Sequence, residues 1–364
     1  MKEKPIFKLL ISMSVPVMFS MLIGSLYNIV DSIWVAKLGT DALTAVSLAF
    51  PLQNMIMSVG VGMGIGVGSV ISMSLGAGNR KRADQTASLG IALAGFHCIL
   101  FLLAGIFFTK PFLSMFTNDP KILEWSCDYT YIVMCVSFGQ LLQMCLEKIF
   151  QGIGKMKTTM YLMASGCIIN IILDPILIFG WFGLPAMGVT GAAVATVIGQ
   201  IGALLLYILV CLRTDIGVTI HPRYMKPDKQ IITKIYSIGI PSSLMLTMPS
   251  LLTGILNGLL TKLGTVYVAV VGVYFKLQTF INMPSNGVVQ GMRPIISYNY
   301  GAGEQERVKK TIRYSMGIVA VIMLIGTIGA LVFPRPILQL FDADASLMAH
   351  GIPALRIIGL SFLI

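Results

Sequence analysis

Long apolar runs alternate with short polar loops along the whole chain. Nearly all of these runs reach the roughly 20 residues that an α-helix needs to cross a hydrocarbon layer of about 30 Å. The pattern predicts ten membrane-spanning helices, near residues 9–36, 46–75, 87–109, 122–147, 159–181, 188–212, 234–261, 267–298, 312–333 and 347–364.

The composition is that of a protein embedded in a membrane. Of the 364 residues, 56% are hydrophobic and 11% are charged, whereas soluble domains carry about 25% charged residues. The net charge of +11 does not indicate nucleic-acid binding, because the basic residues lie in short loops between apolar runs. The six cysteines lie in or beside those runs without a Cys-x-x-Cys pair, which indicates core packing. We expect an all-α integral membrane protein.

Basic residues gather in every second loop. One set of loops contains many, including Arg80-Lys81-Arg82 and Lys148, which we assign to the loop after the fourth run. Cytoplasmic loops of membrane proteins carry the excess of Lys and Arg. The distribution predicts a multi-pass protein of the inner (cytoplasmic) cell membrane with a cytoplasmic N-terminus. The opposite loops contain only Lys37, Lys110, Lys121, Lys262 and Arg335.

The two parts of the chain repeat each other at a constant offset of 225 residues. Six predicted spans precede the second copy, so both copies enter the membrane in the same direction. This arrangement predicts a six-helix lobe at 1–225, a second lobe at 226–364, and a central cleft as in transporters. Matched pairs include Pro16 with Pro241, Gly76 with Gly301, and Arg82 with Arg307.

The second lobe contains about four predicted spans. Residues of the first copy beyond about 140 would match positions beyond 364. We therefore expect twelve spans in the intact protein, and a natural ten-span protein is the alternative.

Two acidic residues lie inside predicted spans of the first lobe. Asp31 lies in the first span, and Asn170 and Asp174 share one face of the fifth because they are four residues apart. At 1.5 Å per residue, both carboxylates lie about 8–11 Å from the outer boundary. An acid inside a span costs at least ~2.5 kcal/mol, so it is by default a candidate functional residue. The Thr196 hydroxyl lies near the same depth, Tyr27 precedes Asp31 by one helical turn, and Tyr129 enters the fourth span from the outside.

This group of oxygens fits two kinds of ion. Na⁺ takes oxygen ligands, for which Asp31, Asn170 and Asp174 are candidates, whereas two close carboxylates can instead hold one proton. The structural alternative is that each acid satisfies a helix kink or a buried hydrogen bond. Pro16 either lets the first helix bend when the ion binds or is an ordinary membrane proline. No acid lies within the spans of the second lobe, where Leu256 matches Asp31.

The second predicted span contains five glycines at alternate positions from 60 to 68. Gly60, Gly64 and Gly68 lie on one helix face and form the small-residue pattern that allows helices to pack closely in membranes. We therefore interpret the glycine run as a packing surface rather than a phosphate-binding loop.

Together these motifs resemble the multidrug and toxic compound extrusion (MATE) family, especially bacterial members with a cation site in the N-terminal lobe. The motifs are Pro16, Asp31, Gly76-Ala77-Gly78, Gln151-Gly-Ile-Gly-Lys155, Asn170-x-x-x-Asp174-Pro175 and Asn299-Tyr-Gly-Ala-Gly303. The resemblance implies two six-helix lobes and an antiporter, not an enzyme, that couples Na⁺ or H⁺ entry to export of amphipathic organic cations. The coupling residues it implies are Tyr27, Asp31, Tyr129, Asn170, Asp174 and Thr196.

Other functions remain open at this point. A flippase for a lipid-linked saccharide would belong to the wider superfamily, but its polyanionic substrate needs several arginines, and we place only Lys276 and Arg356 deep in the spans. An ion channel or a membrane scaffold is a third possibility. As partners we expect organic cations and the lipid bilayer, with no nucleic acid, and we expect a monomer without a cofactor other than the coupling ion.

Overall fold

A computed structural model describes residues 3–261, 265–339 and 345–363, so the loop residue Lys262 lies outside it. The described residues form α-helices and short 3-10 turns, without a β-strand among them, which confirms the all-α prediction. The α-helices are α1 (Ile6–Ala36), α2 (Thr40–Gly76), α3 (Arg80–Leu113), α4 (Pro120–Cys135), α5 (Phe138–Gly152), α6 (Met156–Phe179), α7 (Gly188–Arg213), α8 (Lys229–Thr261), α9 (Thr265–Gly301), α10 (Gln305–Val332), α11 (Pro334–Gln339) and α12 (Ala345–Gly359).

Most of these helices correspond to the predicted spans. By length and composition, seven can cross a membrane on their own, namely α1, α2, α3, α6, α7, α8 and α10. The pair α4 and α5 forms an eighth span that is bent by 46°. The two remaining predicted runs fall on the 37-residue helix α9 and on α12 with the 3-10 turn that follows it.

The predicted fourth span is broken, which the apolar pattern did not predict. Helix α4 begins at Pro120, where the Asp119 carboxylate accepts hydrogen bonds from the next free backbone amides, and it ends at Cys135. Helix α5 begins after a break of two residues and packs closely on α7. A Cβ atom on Gly139 would lie 2.9 Å from Ile201 Cγ1, so glycine permits this approach directly after the bend.

The two halves of the chain meet in reciprocal pairs of helices. Helix α1 packs against α9 and α2 packs against α8, and the 225-residue offset converts one pair into the other. Single contacts obey the same relation: a Cβ atom on Gly76 would overlap the Tyr298 carbonyl oxygen, and one on Gly301 would overlap the Met73 carbonyl oxygen. Such reciprocal contacts are those of a two-fold axis. The halves are therefore parallel repeats, as predicted.

The contacts between the halves lie at one end of the helices. Leu10 of α1 packs against Val288 and Ile295 of α9, close to the loops that follow Gly76 and Gly301. The closest approach of α1 to α9 is at the same end, where a Cβ atom on Gly291 would overlap Ser14 Oγ. The cleft between the halves is therefore closed at the end where the N-terminus lies.

The glycines of α2 serve two different interfaces. Gly64 faces α5, where an added Cβ atom would lie 2.6 Å from Lys148 Cγ. Gly66 faces the other half of the molecule and lies directly against the Ile235 carbonyl oxygen of α8. The packing interpretation of the glycine run is confirmed, and the alternate spacing supplies one small-residue face to each neighbour.

Candidate functional site

Four helices of the first half bring the six predicted side chains together. Asp174 and Asn170 of α6 are 0% and 2% exposed, and Tyr129 and Thr196 are also buried. Tyr27 and Asp31 of α1 are partly exposed because α1 lies at the edge of the cleft. The helices contribute Tyr27 and Asp31 from α1, Tyr129 from α4, Asn170 and Asp174 from α6, and Thr196 from α7.

Asn170 and Thr196 connect the helices of the site. The Asn170 amide donates hydrogen bonds to Asp174 Oδ1 at 3.3 Å and to Thr196 Oγ1 at 3.4 Å. The Thr196 hydroxyl also lies within hydrogen-bonding reach of the hydroxyl groups of Tyr27 and Tyr129. Gln53 Nε2 of α2 donates to the Tyr129 hydroxyl at 3.1 Å. Hydrogen bonds therefore link α2 to α4 and α6 to α7, and the polar side chains of α1 lie beside them.

The carboxyl groups of Asp31 and Asp174 are close enough to interact with each other. Two carboxyl groups can make such a contact only if one of them carries a proton or a cation lies between them. Asp31 Oδ1, Asn170 Oδ1 and Asp174 Oδ2 are all buried, and no donor in the described part of the chain reaches them. Since buried oxygens normally have a partner, these three atoms fit the coordination of a proton or a small cation.

A cavity of about 1120 Å³, including its open mouth, lies beside this polar network. Its lining includes Tyr27, Asn170 and Thr196, so the site and the cavity share a wall. Among the described residues that line it, Glu147 is the only charged one. The remaining lining is rich in amides and methionines, including Gln53, Asn54, Gln140, Gln143, Met57, Met144 and Met163.

Comparison with known proteins decides the family. The MatE family model matches residues 16–176 and 241–364. The chain belongs to the MatE family of MATE transporters. The two matched segments begin 225 residues apart, which is the offset of the internal repeat.

Curated MATE relatives are multidrug export proteins. The chain is 29% identical to the multidrug export protein MepA of Staphylococcus haemolyticus (strain JCSC1435), over all of this chain and 79% of that protein. It is 27% identical to MepA of Staphylococcus aureus (strain bovine RF122 / ET3-1), over all of this chain and 80% of that protein. The chain thus spans about four-fifths of the length of these relatives.

Solved MATE structures have the same fold. One is described as the outward-facing conformation of a multidrug resistance MATE family transporter of the MOP superfamily, and it matches with a TM-score of 0.91 at 26% identity. Another is a MOP superfamily transporter from Pyrococcus furiosus Vc1 (DSM3638), with a TM-score of 0.90 at 25% identity. Each match covers 99% of this chain and 80% of the solved one. The structure of this MATE protein is therefore a two-bundle transporter fold.

Two adjacent charged residues of α5, of which only Glu147 lines the cavity, differ from what the apolar pattern predicts. Glu147 was not selected, and Lys148 was assigned to a cytoplasmic loop, but both belong to α5 and the Lys148 side chain is only 7% exposed. The assignment of Lys148 to a loop was wrong because the adjacent charges Glu147 and Lys148 interrupt the apolar run, as charges at a membrane surface do. The signal that could have corrected it is the apolar pair Ile149 and Phe150, both 0% exposed, which continues the helix.

Pro16 lies inside α1, which is helical without a break from Ile6 to Ala36. The Ser20 hydroxyl donates a hydrogen bond to the Pro16 carbonyl oxygen at 3.0 Å. Pro16 belongs to the end of α1 that packs on α9, whereas Asp31 belongs to the end that lines the cleft. The helix lacks one backbone hydrogen bond at Pro16 and is most easily bent there, within the end that packs on α9.

Proposed function

We propose that this MATE protein is an antiporter that exports amphipathic organic cations in exchange for Na⁺ or H⁺. The observation that supports the proposal is the buried acidic network of Asp31, Asn170 and Asp174. This network shares a wall with the large cavity. Among the described residues that line the cavity, the one charged residue is Glu147. The names of the MepA relatives, which are multidrug export proteins, support the same conclusion.

The cavity has the chemistry of a site for large, weakly polar cations. The one carboxylate in the described lining, Glu147, is paired with Lys148 outside the lining, so it can attract a positively charged ligand where that pair is weakened. Methionine side chains such as Met57, Met144 and Met163 adapt their shape to different apolar bodies, as in other promiscuous binding surfaces. This combination selects by charge and by apolar character rather than by one shape.

The coupling mechanism follows from the positions of the two ends of α1. An ion between Asp31 and Asp174 draws the cleft end of α1 toward α6 and α7. The other end of the same helix packs on α9 of the second half, through residues on both sides of Pro16 such as Leu10 and Met18. Ion binding therefore changes the free energy of the contact between the halves. A ligand shifts such an equilibrium only by its differential affinity for the two states, so the site binds the ion more tightly in one of them.

The proposal includes an orientation of the protein in the membrane. We place the N-terminus in the cytoplasm, because most basic loops lie on that side. The closed end of the cleft then faces the cytoplasm and the open end faces outward.

The variant Asn170→Leu distinguishes the two candidate ions. The amide oxygen of Asn170 is a ligand for Na⁺, whereas two carboxylates hold a proton without it. If Na⁺ is the coupling ion, we expect the Na⁺ concentration for half-maximal efflux to rise about 10- to 100-fold, the range found when residues that support a metal site are removed. The measurement is dye efflux from proteoliposomes with the Na⁺ and pH gradients imposed separately.

The matched control for this experiment is Asn28→Leu. Asn28 also lies on the cavity wall, but its amide donates only to the Gly24 carbonyl oxygen of its own helix, at 2.9 Å. We expect its ion dependence to equal that of the unmodified protein. If Asn170→Leu leaves the dependence on both ions unchanged, Na⁺ bound through Asn170 is not the coupling ion.

A lipid-linked saccharide flippase is the second candidate function. The sequence predicts two cations deep in the spans, Lys276 and Arg356. The structure adds Lys148 and Arg293, which line a crevice between α2, α5 and α9. Lys148 is paired with Glu147, however, and neither cation lines the large cavity. The polarity of the cavity therefore favours the antiporter. High-affinity binding of a lipid-linked saccharide to the purified protein would favour the flippase over the antiporter.

A further inference from the structure

A buried ion pair lies where the cavity meets the interface between the halves. Lys148 Nζ donates to Glu147 Oε1 at 3.1 Å and to Gln151 Oε1 at 3.0 Å, both on α5. It also donates at 3.0 Å to Gln290 Oε1 of α9, which belongs to the second half. The Glu147 and Lys148 side chains are 14% and 7% exposed. One ammonium group therefore joins an acid of the first half to an amide of the second.

The two charged side chains face different spaces within the protein. Neighbouring residues of an α-helix point about 100° apart, since a turn contains 3.6 residues. Glu147 lines the large cavity, whereas Lys148 lines the crevice between α2, α5 and α9 together with Gly64 and Arg293. The pair thus connects the space that can hold a substrate with the contact that closes one end of the cleft.

The strength of this pair depends on the closure of the cleft. Lys148 keeps its third acceptor only while α9 lies against α5, because that acceptor is Gln290. Its stem is confined by Gly64 of α2, which also packs on the second half through the neighbouring Gly66. Separation of the halves at this end removes the Gln290 contact and admits water, and a hydrated ion pair is much weaker than a desolvated one. Opening therefore frees the Glu147 carboxylate.

We infer that Glu147 binds the positive charge of the exported substrate when this end of the cleft is open, and that Lys148 replaces the substrate at Glu147 when it closes. The inference rests on the proposed function and assigns its substrate-charge site. Closure returns an internal cation to the same carboxylate, so the substrate loses its electrostatic partner and its affinity falls. The exchange gives the two states the different substrate affinities that export requires.

The test compares a cation with a neutral ligand of similar shape. The probes are tetraphenylphosphonium and triphenylphosphine oxide, and the readout is their equilibrium binding to the full-length purified protein. We expect Glu147→Gln to weaken tetraphenylphosphonium binding at least about 10-fold, because one charged contact is lost, and to change binding of the neutral ligand less than two-fold. A purely structural role of Glu147 would change both ligands equally. The surface variant Glu124→Gln of α4 is the control and leaves both unchanged.

Variants of the lysine test the exchange itself. Lys148→Met keeps the apolar stem and removes the internal cation, so we expect tighter tetraphenylphosphonium binding and slower release. The double variant Glu147→Lys with Lys148→Glu keeps an ion pair, and therefore the fold, but places a cation beside the cavity. We expect it to lose tetraphenylphosphonium binding and to keep binding of the neutral ligand.

The outcomes separate this inference from the proposed function. If the unmodified protein moves no organic cation under either ion gradient, the proposed function fails. If the unmodified protein exports cations and Glu147→Gln binds both probes as the unmodified protein does, the inference is wrong and the antiporter proposal stands. Unchanged cation binding in the charge-swapped double variant overturns the inference in the same way.

Discussion

Asp31→Asn is expected to abolish ion-driven export of an ethidium-like dye from proteoliposomes. Asparagine has nearly the same shape, so the variant removes the charge of Asp31 and leaves the packing of α1 in place. One buried carboxylate then faces the ion instead of two. Removing one partner of a buried charged contact costs about 2–5 kcal/mol. At 1.4 kcal/mol for each factor of ten, that range corresponds to a fall in ion affinity of at least about 30-fold.

Asp41→Asn is the matched control for this prediction. Asp41 lies in the first turn of α2, and its carboxylate pairs with Lys121 Nζ at 2.9 Å. Both side chains are about half exposed, and such surface pairs contribute about 0–1 kcal/mol. We expect unchanged efflux in this control and normal amounts of both variants in the membrane. Undiminished ion-driven efflux in Asp31→Asn would remove the acidic network from the mechanism.

Gly301→Ala is expected to prevent closure of the cleft at its N-terminal end. One added methyl group would overlap the Met73 carbonyl oxygen of α2, and a backbone atom cannot turn away as a side chain can. Helix propensity alone predicts that Gly301→Ala stabilises helix α9, since alanine is favoured over glycine in a helix interior by about 0.8–1.0 kcal/mol. Overpacking of a tight contact costs about 1–3 kcal/mol, so the net effect is a bias toward the open state. We expect dye export to fall at least about five-fold.

The measurement is the distance between spin labels at positions 81 and 306, in protein without its native cysteines. Both positions are exposed and are related by the 225-residue offset. We expect a longer distance in Gly301→Ala and, by the two-fold relation, a similar increase in Gly76→Ala. Gly317→Ala of α10 is the control, because an added Cβ atom there meets no neighbour within 4 Å. Distances equal to those of the control would show that these glycines do not determine closure.

The shared depth of Asp31 and Asp174 could be predicted from the sequence, whereas their contact also depends on the packing of α1 on α6. A helix rises 1.5 Å per residue, and the ends of the apolar runs fix the membrane boundaries, so two acids on different spans can be assigned to one layer. The contact between the halves could also be anticipated in part. A repeat that enters the membrane twice in one direction requires reciprocal contacts, and Gly76 and Gly301 make them.

Other parts of the site depend on which helices are neighbours, which periodicity in one segment does not show. Gln53 bonds to Tyr129, and its importance follows only from the packing of α2 on α4. Glu147 and Lys148 resemble the start of a loop in the sequence, because adjacent charges usually mark the membrane surface. Their burial follows from Gln290 and Gln151, which supply acceptors that the linear pattern does not reveal. The bend between α4 and α5 lies at Val136 and Ser137, without a proline to indicate it.

The simultaneous flux of dye and ion tests the antiporter proposal most directly. Proteoliposomes are loaded with dye, and Na⁺ uptake and internal pH are recorded while the dye leaves. We expect dye export by the unmodified protein to drive entry of one of the two ions, an imposed gradient of that ion to accelerate export, and Asp31→Asn to show neither effect. Dye export at the same rate with and without an ion gradient, and without ion entry, would contradict coupling through Asp31 and Asp174.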